Sequence, residues 1–120
     1  MTMLWYHYLR THNINKFGSL TMYLTAGHFK FTDAGLPRAR ELMNKIVEIG
    51  RSEEGIVQYT FYPNPDKDNA WFLFEEWESK EAHDAHFESD AMQALVPEFF
   101  ELLEEEPSVS YFDATLVASL

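Results

Sequence analysis

The sequence predicts an α+β fold: a ferredoxin-like βαββαβ unit with one four-stranded antiparallel sheet. Three observations carry that expectation. Segments of strand-type alternation and of helical periodicity follow one another in that order, with turn residues between them. The stretch Asn69 to Met92 passes directly from strand to helix, with Ser79 placed to cap the junction. The strand half of that stretch is apolar on both sides. Trp71, Leu73, Glu75 and Trp77 point one way, and Phe72, Phe74, Glu76 and Glu78 the other. An antiparallel strand with one wet face alternates apolar and polar along its length, so both faces here need cover. Two helices can cover one of them. The other predicts association, and we expect a homodimer in which two sheets pack face to face.

Residues 1–19 fit the pattern poorly and read as an N-terminal extension or arm ahead of a single domain over residues 20–120. Leu4, Trp5, Tyr6, Tyr8 and Leu9 precede a polar, turn-prone run from Thr11 to Asn15. A docking arm, a short helix, and upstream sequence with Met22 as the functional start all stay open. Leu20 to Phe31 is the first strand, rich in β-formers. Asp33 is a plausible helix cap and Pro37 falls in the first turn. Ala39, Leu42, Met43, Ile46 and Ile49 recur at helical spacing, and Gly50 stands where a C-terminal glycine stops a helix.

Glu53-Glu54-Gly55 then turns the chain into a second strand, Ile56 to Tyr62. The turn formers Pro63 to Asp68 make a hairpin loop to the third strand, about Ala70 to Glu78. Ser79 caps the next helix, with Glu81 in its first turn to suit the helix dipole. A break at Ser89-Asp90 starts a second helical piece with the apolar stripe Met92, Leu95, Val96, Phe99, Leu102 and Leu103. Pro97 inside it should kink that helix or start it afresh. Glu104 to Glu106 is a solvated end, Pro107 a stop, and Val109 to Val117 the last strand.

The balance of 9 Lys plus Arg against 20 Asp plus Glu, a net charge of −11, repels phosphate backbones and argues against nucleic acid as a partner. With no cysteine there is no disulfide framework, thiolate nucleophile or cysteine-held metal. No apolar run reaches the roughly 20 residues that a membrane helix needs, and the N-terminus lacks the pattern of a secretory signal. A cytoplasmic protein that does not engage membranes is the expectation.

EEGIVQYTFYPNP, the strand FLFEEWES and the following KEAHDAHFESDAMQAL, within Glu53 to Leu95, together resemble the antibiotic biosynthesis monooxygenase domain. The combination E-x-W-x-S, A-x-x-A-H and S-D-x-M is more specific than any of its parts, and the likeness extends over roughly Met22 to Ala114. The resemblance implies a dimeric α/β barrel with a pocket in each subunit between helices and sheet. It also implies oxygenation of an electron-rich aromatic or quinol without metal, flavin or other cofactor. A related branch degrades haem with a histidine on the second helical piece and an asparagine on the first strand. Those places fall near Val96 and His28 here, so the chain departs from that branch.

Cofactor-free oxygenation needs an apolar pocket, a base that makes the phenolate, and room for dioxygen. A base titrating near neutrality suits the role, which favours histidine. His86 lies on the helix face that should meet the sheet, at the position the resemblance favours. It reads equally as a core histidine satisfied by a neighbour. His83 and His86 at i, i+3 have the spacing of a chelating pair, but lack a third ligand in view. Trp77 offers a flat wall for an aromatic substrate if its face looks toward the helices. Glu75, on the same face, is a second base if burial pushes it toward protonation, or a partner for backbone or tyrosine at a dimer seam. His28, beside Ala26 and Gly27, reads as pocket lining, and Tyr59 and Phe61 as core residues able to meet a small aromatic or quinone-like ligand. Three functions therefore compete: a cofactor-independent monooxygenase, a ligand-binding or stress-associated dimer without turnover, and a structural partner module. A cavity too small for one aromatic ring would favour the last.

Overall fold

The computed structural model describes residues 20–120; the extension over residues 1–19 lies outside them. Strand β1 (Thr21–Lys30) leads to helix α1 (Leu36–Arg51), then β2 (Ile56–Pro63) and β3 (Ala70–Trp77). Helices α2 (Lys80–Phe87) and α3 (Asp90–Glu101) follow, and β4 (Ser108–Thr115) closes the unit. The sheet order is β2-β3-β1-β4, with β1 antiparallel to both neighbours and β2 antiparallel to β3. This is the βαββαβ, four-stranded antiparallel, ferredoxin-like arrangement that the periodicities predict.

Local signals decide most of the element ends. Ser79 Oγ accepts from the Ala82 amide at 3.1 Å and Ser89 Oγ from that of Met92 at 3.3 Å, so both short helices carry side-chain N-caps. Glu81 and Asp90 in their first turns suit the dipole. Gly55 turns into β2 at φ +86°, a conformation that costs a side-chain-bearing residue energy.

Three expectations are corrected. Asp33 does not cap α1: Gly35 holds the cap position, Thr32 Oγ1 accepts its amide at 3.0 Å, and the Asp33 carboxylate takes Asn69 Nδ2 at 2.6 Å across the hairpin loop. Gly50 does not end α1, which runs on through Arg51 to a Ser52 cap. Gly50 is buried against Tyr59, and a Cβ there would lie 2.5 Å from Tyr59 Cδ2, so the glycine makes room for a ring. Pro97 sits inside an unbroken α3.

The register settles which way each strand residue faces. Tyr23, Thr25, Gly27 and Phe29 of β1 stand beside Trp77, Glu75, Leu73 and Trp71 of β3. Tyr59 and Phe61 of β2 and Val109 and Tyr111 of β4 complete that face. The helices lie over it, and the core of Phe29, Leu42, Ile46, Leu73, Trp77 and Phe99 fills the space between. The opposite face presents Leu24, His28, Phe72, Phe74, Tyr62 and Phe112, of which Tyr62 and Phe112 are about half exposed.

Candidate functional site

Between α2, α3 and the covered face lies a cavity of about 70 Å3, lined in its apolar part by Phe29, Phe61, Leu73, Met92, Val96 and Phe99. Thr25, Tyr59, Glu75, His83, His86 and Tyr111 add its polar groups. Phe87 and Phe100, 42% and 47% exposed, stand where it meets solvent. Apolar cavities of about 150 Å3 take benzene, so the space as it stands suits water or dioxygen, and an aromatic ring needs the lining to give way.

The polar groups form one connected chain. Trp77 Nε1–H donates to Glu75 Oε1 at 2.8 Å, and the Glu75 carboxyl also bonds the Tyr59 hydroxyl. That hydroxyl lies 3.2 Å from His86 Nε2, and His86 Nδ1 meets Glu53 Oε1. Tyr59, Glu75, Trp77 and His86 are all buried, whereas the Glu53 side chain reaches solvent. Aromatic walls hold the imidazole in place: Trp77 packs at 5.0 Å between centroids and Tyr59 edge-on at 5.1 Å. Gly50 is what lets Tyr59 lie this deep.

Burial governs the protonation of this chain. It pushes the Glu75 carboxyl up to about 7, against the hydrogen bonds from Trp77 and Tyr59 and with the help of the nearby Glu53 charge. Burial lowers the His86 imidazole below its ordinary value, opposed by its bond to Glu53. Tyr59 is driven well above the usual phenol range, first by burial and then by the Glu75 and Glu53 charges. With the Glu53 carboxylate ionised, the chain is satisfied in two ways. In the first, Glu75 is protonated and donates to Tyr59, whose O–H donates to His86 Nε2. In the second, Glu75 is ionised and accepts from Tyr59, while an imidazolium donates at both nitrogens. The two differ by one proton moved between Glu75 and His86. Such a chain can carry a proton from the cavity to the surface.

The structure thus brings together Glu75, Tyr59, Phe61 and His86 at the cavity, while Trp77, expected as a flat wall for a substrate, lies fully buried behind them and reaches the site only through Glu75 and His86. It does not bring in His28, which is exposed on the opposite face with its ring 5.0 Å from that of Phe72. His83 lines the cavity edge with Nδ1 2.9 Å from Asp84 Oδ1, its ring against Tyr23 and Tyr111. Among the described residues no group of three or more His, Cys, Asp or Glu is placed to hold a metal ion. Nor is any helix long and apolar enough to cross a membrane. The sequence reading missed Glu53, which looked like a turn residue, and Thr25 and Tyr111, which looked like ordinary strand positions.

Comparison with known proteins agrees with this architecture. Residues 22–98 match the family model described as antibiotic biosynthesis monooxygenase. An uncharacterized protein of Synechocystis sp. is 30% identical over 86 residues, 72% of this chain and 54% of that protein. The chain therefore spans about half the length of that relative. A conserved protein from Methanosarcina mazei Go1 superposes with a TM-score of 0.75 at 18% identity, covering 88% of this chain and 96% of that one. A variant of SnoaB, a cofactor-independent oxygenase from Streptomyces nogalater, does so with a TM-score of 0.69 at 15% identity, covering 78% and 92%. At these identities the likeness to solved structures is one of fold.

Proposed function

This chain belongs to the antibiotic biosynthesis monooxygenase family, and from that premise we propose that it oxidises a small electron-rich phenol or quinol with dioxygen, its own residues supplying only acid–base chemistry and enclosure. The observation that carries this reading is the hydrogen-bonded chain Glu53–His86–Tyr59–Glu75 ending in a largely apolar cavity. Glu75, poised near neutrality, takes the proton of the substrate hydroxyl, and Tyr59 and His86 pass it toward Glu53 and solvent. His86 has both ring nitrogens engaged, so it serves as the relay's reservoir and Glu75 as the group that meets the substrate. Trp77, set behind the cavity lining, keeps the Glu75 carboxyl oriented. The electron-rich phenolate then reduces dioxygen directly. A hydroquinone plus dioxygen yields a hydroxyquinone plus water, one oxygen atom entering the ring and the other leaving with the two hydrogens lost.

The same reading includes a homodimer. The face bearing Leu24, Phe72, Phe74 and Phe112 is too apolar to leave in water, and a second copy is the occupant that family membership favours. The description of SnoaB as a cofactor-independent oxygenase supports the chemistry without naming a substrate for this chain.

One observation favours a second reading, a structural partner module: the cavity holds about 70 Å3, less than an aromatic ring occupies. Oxygen uptake by the purified chain with a panel of hydroquinones separates the two. The monooxygenase reading expects consumption above autoxidation, slowed roughly a hundredfold or more by His86→Ala and by Glu75→Gln. Uptake that never exceeds autoxidation leaves the structural reading.

A further inference from the structure

Thr25 stands out in the cavity wall. It is 1% exposed, and its Oγ1 finds no hydrogen-bond partner among the described residues. Buried hydroxyls are almost always bonded, and one left unbonded disfavours the folded state. Valine would fill the same volume, suit the strand as well and leave nothing unbonded. Thr25 is the direct cross-strand neighbour of Glu75 on β3 and of Tyr111 on β4, all three on the covered face. Side chains so paired have their Cβ atoms about 5 Å apart, so the Thr25 hydroxyl and the Glu75 side chain line the same stretch of the cavity.

We propose that Thr25 and Glu75 form an anchor for a single ligand hydroxyl, with the ring that carries it lying against Phe29, Phe61, Leu73 and Phe99. The proposal rests on the reading of this cavity as a site for a phenol or quinol and adds to it the pair that holds the hydroxyl and the orientation in which the ring lies. The hydroxyl donates to Glu75 and accepts from Thr25; a methyl group does neither, and a ketone or ether oxygen only accepts. Above about pH 7, where Glu75 is ionised, a carboxylate at that point is repelled by Glu75 and by Glu53, whose charge reaches Glu75. The class selected is a neutral aromatic alcohol that enters hydroxyl first, its far end toward Phe87 and Phe100. A second oxygen on the ring sits at the mouth and not in the anchor.

Phenol, toluene and benzoate make the test, because they differ in one substituent at nearly constant size. Each is titrated into wild type, Thr25→Val and Thr25→Ser, with the Met92 methyl resonance as the reporter of cavity occupancy. Wild type should prefer phenol over toluene by about tenfold and show no occupancy by benzoate. Thr25→Val should lose about tenfold for phenol while binding toluene at least as well, and Thr25→Ser should keep the preference. A thermal melt of each variant checks that it folds. Equal affinity of wild type and Thr25→Val for phenol, a parallel loss for phenol and toluene, or no occupancy of wild type by phenol overturns the anchor. Phenol binding through Thr25 without oxygen uptake defeats the monooxygenase reading alone. Oxygen uptake with an unchanged phenol affinity in Thr25→Val defeats the anchor alone.

Discussion

On β3, neighbouring residues live in two environments. Leu73, Glu75 and Trp77 lie under the helices and are buried, whereas on the other side Phe72 and Phe74 are partly exposed and Glu76 is buried. The covered face spends its polar groups inward, in the chain from Glu53 to Trp77, and keeps one hydroxyl unbonded. The open face mixes apolar side chains with His28, Thr60, Tyr62 and Ser110, and there Gln58 Nε2 donates to Glu76 Oε1 at 3.1 Å. Enclosing a reactive site needs buried polar groups with fixed partners. Association needs plain apolar surface that costs nothing to dehydrate. One pleated strand can meet both needs, because successive side chains point to opposite sides.

The sharpest way to break this comparison is to empty the covered face. Trp77 is fully buried and packs on His86 and Tyr59, so Trp77→Ala should cost about 3–5 kcal/mol in denaturant unfolding. Trp77→Phe should cost less but should free the Glu75 carboxyl to turn. Charging the open face should act on a different quantity. Phe74→Asp should weaken self-association at least a hundredfold, about 3 kcal/mol, in sedimentation equilibrium and leave the cavity's ligand affinity intact. If the variant and wild type sediment alike, the open face is not the interface.

A pH titration sharpens the contrast further. Burial holds Glu75 at about 7, above its ordinary 4.5, so the folded chain keeps a proton that the unfolded chain releases. That stability is complete below about pH 4.5 and fades as the pH rises toward 7, by about 3 kcal/mol. His86 acts in the opposite sense: held below 6.5 by burial, it contributes fully above pH 6.5 and loses its share as the pH falls. Glu75→Gln should flatten the decline between pH 4.5 and 7, and urea melts at several pH values will show whether it does. The smallest effect belongs to Thr25→Val, which should raise stability by about 1 kcal/mol because it removes an unbonded buried hydroxyl. A loss of stability would mean that the hydroxyl has a partner.

Much of the fold was legible in the sequence. The order of strands and helices, the Ser79 and Ser89 caps and the two faces of β3 all follow from patterns that span a few residues. So do the resemblance carried by E-x-W-x-S and its neighbours, and the grouping of Glu75 with Trp77, since i and i+2 share a strand face. Gly50 misled because a glycine that ends a helix and one that admits a neighbouring ring look alike in one dimension.

Tertiary structure alone decided the rest. His86 meets Glu53 from 33 residues away and Tyr59 from 27, and no local period encodes either meeting. Which face the helices would choose, and hence that His28 lies outside the cavity, depended on register and crossover. The unbonded hydroxyl of Thr25 exists only because β1 is flanked by β3 and β4 and roofed by helices. Local patterns reflect backbone geometry shared by near neighbours in the chain. A site is made of distances between residues remote in sequence, and only packing sets those.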